Sequence, residues 1–390
     1  MLALLLSSAA FAANYQVTFC AEYSIDFDDA DVAVGDDYFT SNTDRPARGA
    51  RIKIVRNSDG FIMFDNYTDW DGAAVGCTSA LTLDSTKTYQ VMVQSRALVN
   101  GNYVFIYDDP TTPSYWAFEA YAAYAPTSST TVTFDTTLTD HWNTAAAMGF
   151  GLYRRTAGLS GETFTVYMEP CPSGGGSCRS GNAVYIDSPA DSKTVINHEL
   201  GHYVAFHKNN DNSADTNDGA TLNNCYTVSS RNHEAVSKEY QSIAANEGYA
   251  HYYAVVSFND TTEYDCGFAY YKTTDWNLDG ILDGQWVSCE SGPMTGVDGA
   301  DYLGDTCTGT LTNRGTEYDW LRFLWDLDTN GGVSTTTIFQ IYENAYPHTW
   351  VAYGDSTGSG YPSSRLRNGA DAAGVLTEWD AWDNYNGVHR

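Results

Sequence analysis

Apolar and polar residues alternate along much of the first third of the chain. Three runs alternate with a period of two, which is typical of strands that bury one face. These runs are residues 51–55, 89–93 and 103–107. Between them stand Asp59-Gly60 and Asn100-Gly101, dipeptides that favour tight turns. Short strands at this spacing predict a β-sandwich-like domain over residues 13–126.

The apolar spacing changes to three and four residues after position 137, which predicts a mainly α-helical domain over 137–390. One helix is predicted to begin at 137, and another contains the apolar stripe 195–204. Further helices are predicted over 231–256, 317–328, 334–346 and 376–385. The runs 164–168 and 183–186 favour strands of a small sheet. The Ser/Thr-rich stretch 127–136 is either a linker or an edge strand. The predicted fold class is therefore α+β, with a β-sandwich-like domain followed by a mainly α-helical domain with a small β-sheet.

The chain begins with a segment that is typical of exported proteins. Residues 1–12 are mostly apolar and end in Ala10-Phe11-Ala12, which predicts a signal peptide and a secreted or periplasmic location. No other run approaches the roughly 20 apolar residues that a transmembrane helix needs. The net charge of −29 leaves no basic surface for nucleic acid, so nucleic acid is not an expected partner.

Eight cysteines, an even number, fit an exported chain with disulfides. Eight cysteines allow 105 pairings, so the sequence alone does not fix them, but four pairs are plausible, the Cys171–Cys178 pair on grounds of proximity. These are Cys20–Cys77, Cys171–Cys178, Cys225–Cys266 and Cys289–Cys307.

The strongest chemical signal is the run His198-Glu199-Leu200-Gly201-His202. Histidines four residues apart on a helix project from the same side, so these two imidazoles can bind one Zn²⁺ ion. The glutamate between them is then placed to act on a zinc-bound water. The run therefore predicts a zinc hydrolase.

A catalytic zinc ion needs a third protein ligand and an open position for water. Glu247 shares an apolar helical face with His251, where a carboxylate is unfavourable unless it is paired or metal-bound. It is the preferred third ligand, and Glu239, two turns earlier on nearly the same face, is the rival. His207 lies one residue short of the third-histidine position of metzincins, so we expect a structural role for it.

These two segments resemble the gluzincin metallopeptidases, the class that includes thermolysin-like enzymes. The matching runs are His198-Glu199-Leu200-Gly201-His202 and Asn246-Glu247-Gly248-Tyr249-Ala250. The resemblance implies Glu199 as general base and three zinc ligands, His198, His202 and Glu247. Four residues after the ligand glutamate the thermolysin-like pattern has an aspartate, whereas this chain has His251. We expect His251, or another residue, to support a histidine ligand from behind.

The resemblance also implies a mechanism. Zinc acidifies a bound water and polarises the scissile carbonyl, and Glu199 carries the proton to the leaving amine. The developing oxyanion needs a further hydrogen-bond donor. The candidates for this donor are His251, Tyr252, Tyr302 and Tyr318.

The sequence also contains a candidate calcium site, made up of Asp275, Asn277, Asp279 and Asp283. Their oxygen side chains stand at positions 1, 3, 5 and 9 of an EF-hand-type loop, with glycine at position 6. Position 12 is Trp286 instead of the usual glutamate. The segment is thus either a calcium site or an Asp-rich turn.

Taken together, the patterns predict a secreted zinc peptidase that hydrolyses a protein or peptide substrate. Two alternatives stay open. One is a zincin-fold exopeptidase or other amidohydrolase, and the other is an inactive secreted binding or adhesion module.

Overall fold

The computed structural model describes residues 12–24, 44–71, 74–111, 118–120, 123–135, 140–187, 193–208, 239–259, 267–268, 287–288, 314–345 and 362–386. Within them the chain is a mixed α and β structure. The strands are β1 (Asn14–Ser24), β2 (Asp44–Pro46), β3 (Ala50–Arg56), β4 (Ile62–Tyr67), β5 (Leu81–Asp84), β6 (Tyr89–Val99), β7 (Asn102–Tyr107), β8 (Phe118–Ala120), β9 (Thr130–Asp135), β10 (Thr163–Tyr167), β11 (Cys178–Ser180), β12 (Ala183–Tyr185), β13 (Glu239–Tyr240), β14 (Gly267–Phe268), β15 (Val287–Ser288) and β16 (Arg314–Gly315). The helices are α1 (Asp140–Arg154), α2 (Lys193–Lys208), α3 (Gln241–Phe258), α4 (Glu317–Thr329), α5 (Thr335–Ala345), α6 (Pro362–Ala372) and α7 (Leu376–Asn386).

Two sheets contain most of the described strands. The larger has eight strands in the order β11-β12-β10-β7-β6-β3-β4, with β8 paired to β6. In the smaller sheet β1 pairs antiparallel with β2 and β5, and parallel with β9. Residues 130–135 therefore form a strand, which is one of the two alternatives for that stretch.

The alternation along the sequence sets the two faces of the larger sheet. Every second residue of β6 is buried, from Tyr89 to Val99, and the residues between are half-buried. Asn100 and Gly101 join β6 to β7 with φ values of 49° and 83°. Positive φ at both positions is the tight hairpin geometry that Asn-Gly favours. The strands predicted at 51–55, 89–93 and 103–107 are confirmed.

The larger sheet continues past residue 126. β7 lies before this position and pairs in parallel with β10, which lies after it, residues 103–107 being opposite 163–167. Helix α1 packs against both β6 and β7. The predicted boundary at 126 therefore does not coincide with a break in the sheet. A separate β-sandwich domain stays a prediction.

Helix α3 lies at the centre of the helical part. It packs against α2 on one side and α4 on another, and its residues 244–258 are buried. A helix that is buried all round belongs to the interior of a fold rather than to its surface. Helix α2 also packs against α1 and against strands β11 and β12. The segment that carries Glu247 is thus an interior helix in contact with the segment that carries the two histidines.

The prediction of one continuous helix over 231–256 was wrong at residues 239 and 240. These residues pair antiparallel with residues 314–315, as β13 with β16, and the helix begins at Gln241. Pairing with a distant part of the chain overrides the local helical spacing. Glu239 therefore does not lie on the helical face that carries Glu247.

Helix α6 was not predicted.

Two of the predicted disulfides, Cys20–Cys77 and Cys171–Cys178, are confirmed. The other two predicted pairs and residues 1–11 of the predicted signal peptide lie outside the described residues. Among the described helices, none combines the length and the apolar character needed to cross a membrane.

Candidate metal centre

Helix α2 brings two imidazoles together from consecutive turns. His198 and His202 have ring centroids 4.6 Å apart, and their Nε2 atoms are separated by 3.0 Å. The spacing of four residues puts both side chains on one side of the helix. That side faces α3.

Helix α3 adds a carboxylate to this pair. The Oε2 atom of Glu247 lies 3.1 Å from Nε2 of His198 and 3.0 Å from Nε2 of His202. The exposed fractions of the three side chains are 9% for the glutamate and 2% and 10% for the two histidines. The three predicted ligands thus meet in the interior, and among the described residues they are the one group that could hold a metal ion.

The spacing of the three donor atoms fits a metal site. Tetrahedral zinc, with bonds of about 2.0–2.1 Å, has neighbouring ligand atoms about 3.3 Å apart. The three observed separations of 3.0, 3.0 and 3.1 Å are close to this distance and nearly equal. Two imidazole nitrogens and one carboxylate oxygen are also a donor set that occurs in catalytic zinc sites.

Burial keeps the first histidine neutral. Burial, and next the neighbouring His251, lower the pKa of His198 to about 3 in spite of the opposing effect of Glu247. A metal-binding imidazole must be neutral, since the nitrogen lone pair forms the bond. The environment of His198 therefore favours the protonation state that a ligand requires.

Each histidine of the group also has a partner behind it. The Nδ1 atom of His198 lies 2.9 Å from Nδ1 of His251, whose Nε2 lies 2.8 Å from Oε2 of Glu317. The Nδ1 atom of His202 lies 3.1 Å from the side-chain amide of Asn246. Such contacts hold an imidazole ring in one orientation. The structure thus places His251 against His198, where support was predicted, and adds Asn246 and Glu317, which sequence reasoning missed.

Glu199 lies on α2 between the two histidines and is only 4% exposed. A glutamate at this position, one residue after a metal-binding histidine, is the general base in H-E-x-x-H enzymes. Its burial beside the group is compatible with that role, which remains a prediction.

The candidates for an oxyanion donor have other contacts. The hydroxyl of Tyr252 donates to Asp328 over 2.6 Å, and both ring nitrogens of His251 face side chains already named. Tyr318 is fully buried, and this burial raises the pKa of its hydroxyl. Tyr302 lies outside the described residues. An oxyanion donor therefore stays unassigned among these four.

His207 does not join the group. His207 lies in the last turn of α2 with Nδ1 3.5 Å from Glu162, and its ring packs on Phe164. All four residues of the predicted calcium loop lie outside the described residues, and so calcium binding stays a prediction.

Comparison of the chain with protein-family models gave no match, and comparison with curated proteins gave none either.

Proposed function

We propose that the protein is a secreted zinc-dependent peptidase of gluzincin type. The observation that carries the proposal is the meeting of His198, His202 and Glu247 in the interior, with Glu199 on the same helix as the histidines. A zinc ion in such a site supplies Lewis acidity, which acidifies water and polarises a carbonyl group.

The residues of the chain have separate tasks in this proposal. His198, His202 and Glu247 would hold the ion. The carboxylate of Glu199 accepts a proton from the attacking water and returns it to the leaving amine nitrogen. The three side chains are at most 10% exposed, and this low exposure to bulk solvent strengthens the electrostatic interactions within the site.

A peptide-library digest tests the proposal. The zinc-loaded chain should cleave peptides, and a chelator should stop the cleavage. Glu199→Gln should lower kcat at least about 100-fold because it removes the proton acceptor, while the zinc content stays unchanged.

The matched control is Glu343→Gln, which makes the same chemical change at a surface ion pair with Lys208, where the glutamate side chain is 53% exposed. This variant should cleave like the wild type. Full activity in Glu199→Gln would contradict the role of Glu199 as general base. A zinc-loaded wild type that cleaves no peptide would remove the peptidase proposal.

A further inference from the structure

A chain of hydrogen bonds joins three helices to the candidate metal centre. It runs from Glu317 on α4 to His251 on α3 and on to His198 on α2, with distances of 2.8 and 2.9 Å. The three side chains are 1%, 1% and 2% exposed. Polar groups buried this deeply form defined hydrogen bonds, since a buried polar group without a partner destabilises the fold.

The proton positions along this chain follow from the chemistry of its members. An ionised carboxylate only accepts hydrogen bonds, so Nε2 of His251 donates to Glu317. For a neutral His251, whose imidazole has one N–H, Nδ1 then accepts. The proton between the two Nδ1 atoms then belongs to His198. As a result, Nε2 of His198 carries a lone pair, and this atom faces Glu247 and His202.

The backbone at the start of α4 holds Glu317 in place. Thr316 caps the helix, its hydroxyl accepting from the backbone N–H of Asp319. Gly248, the residue after Glu247, lets the two helices approach, since a Cβ atom at this glycine would lie 2.8 Å from the carbonyl oxygen of Glu317 and 2.3 Å from Cβ of Trp320. The first turn of α4 therefore lies directly on the ligand-bearing part of α3.

We propose that Glu317 is a positioning residue that, through His251, fixes His198 as the Nδ1–H tautomer and presents its Nε2 lone pair to the metal. The inference rests on the metal centre proposed above and assigns a role in it to a third helix. Contacts of this kind make a ligand imidazole more basic, and their removal commonly lowers metal affinity about 10–100-fold.

The tautomers are measured directly by ¹⁵N NMR of histidine-labelled protein, first metal-free and then loaded with zinc. We expect His198 to carry its proton on Nδ1 and His251 on Nε2 in both states. A doubly protonated His251, or a proton on Nε2 of His198 in the metal-free chain, would overturn the inference. This measurement needs no variant and no peptidase activity.

Glu317→Gln tests the direction of the effect. A glutamine side chain can donate as well as accept a hydrogen bond, so it no longer determines which nitrogen of His251 is protonated. We expect mixed tautomers at His251 and zinc affinity lowered about 10–100-fold. Unchanged tautomers and unchanged zinc affinity would overturn the positioning role.

The matched control is Glu162→Gln. Glu162 also faces a histidine of α2, His207, at 3.5 Å, but outside the metal group. This variant should leave the tautomer of His198 and the zinc affinity unchanged. If the wild type shows the expected tautomers and binds no zinc, the metal centre fails and the positioning role fails with it. If zinc binds and the tautomers differ, the metal centre stands without the role for Glu317.

Discussion

At the scale of single residues, the interior contains carboxylates whose environment changes their acidity. Asp328 is largely buried and accepts hydrogen bonds from the hydroxyls of Tyr252 and Thr335 at 2.6 and 2.7 Å. Burial raises the pKa of the Asp328 carboxyl, although both hydrogen bonds lower it. The folded chain therefore binds this proton more tightly than the unfolded chain does.

The sign of the resulting pH dependence follows from linkage. A carboxyl with a raised folded-state pKa stabilises the fold below its unfolded pKa, and this contribution is lost as the pH rises through the folded value. Asp328→Asn cannot ionise but still has an oxygen to accept both hydrogen bonds. Its free energy of unfolding relative to the wild type should therefore increase between about pH 3 and about pH 7. Urea unfolding of both proteins across this range measures the difference.

Asp59→Asn is the control of opposite sign. Hydrogen bonds from Arg56 lower the pKa of the exposed Asp59 carboxyl. The relative stability of this variant should fall over the same range. A difference for Asp328→Asn that stays constant with pH would contradict the account of its burial.

Only part of the candidate metal centre could be predicted from the sequence. The H-E-x-x-H run and Glu247 could be predicted because helical periodicity involves only residues near one another in sequence. The spacing of two ligands, and a carboxylate on an apolar stripe, can therefore be recognised in the sequence alone. Glu317 gives no such signal, because an acidic residue in the first turn of a helix is ordinary. Its contact with His251 depends on how α4 packs on α3, 66 residues away in sequence.

At the scale of elements, the candidate metal centre requires helices α2 and α3 to pack closely together. Gly201 lies between the two histidines of α2, and a Cβ atom there would lie 2.9 Å from Cα and 3.0 Å from the carbonyl oxygen of Ala250. Both atoms belong to the backbone of α3 and cannot rotate away. Glycine at this position therefore lets the helices approach closely enough for Glu247 to reach the imidazoles.

Gly201→Ala should consequently destabilise the protein. Helix propensity alone would make alanine more favourable than glycine by about 1 kcal/mol. The backbone overlap should instead cost about 1–3 kcal/mol and weaken zinc binding by moving Glu247 away from the histidines. Thermal unfolding and zinc titration of the variant give both quantities. An unfolding temperature equal to or above that of the wild type would show that the two helices do not meet as described.

The elements also differ in how well their sequence predicts them. Strands β3, β6 and β7 and helices α5 and α7 follow from apolar periodicity, because each buries one face or stripe. The same spacing predicts helices α2 and α4, although most of their residues are buried. Residues 239–240 have helical spacing and yet form a strand, since their partner at 314–315 is far away in sequence. Pairing of this kind cannot be seen in a local pattern.

At the scale of the whole molecule, strands from both sides of residue 126 share one sheet, and α1 packs on that sheet. The Ser/Thr-rich stretch 127–136 and the change of apolar spacing after residue 137 predicted a division that the larger sheet does not follow. The reason is that parallel pairing of β7 with β10 requires a crossover, and α1 lies within that crossover. The sequence could show the change from strands to helices but not the pairing that joins them.

The candidate metal centre depends on all of these levels, because its three side chains come from two helices that the rest of the fold holds together. The most direct test is the zinc stoichiometry and affinity of metal-stripped protein, measured by titration against a competing chelator. We predict one tightly bound zinc ion per chain in the wild type, affinity lowered at least about 10-fold in Glu247→Ala, and no change in the control Glu239→Ala. A wild type that binds no zinc, or a Glu247→Ala variant that binds it with unchanged affinity, would contradict the account.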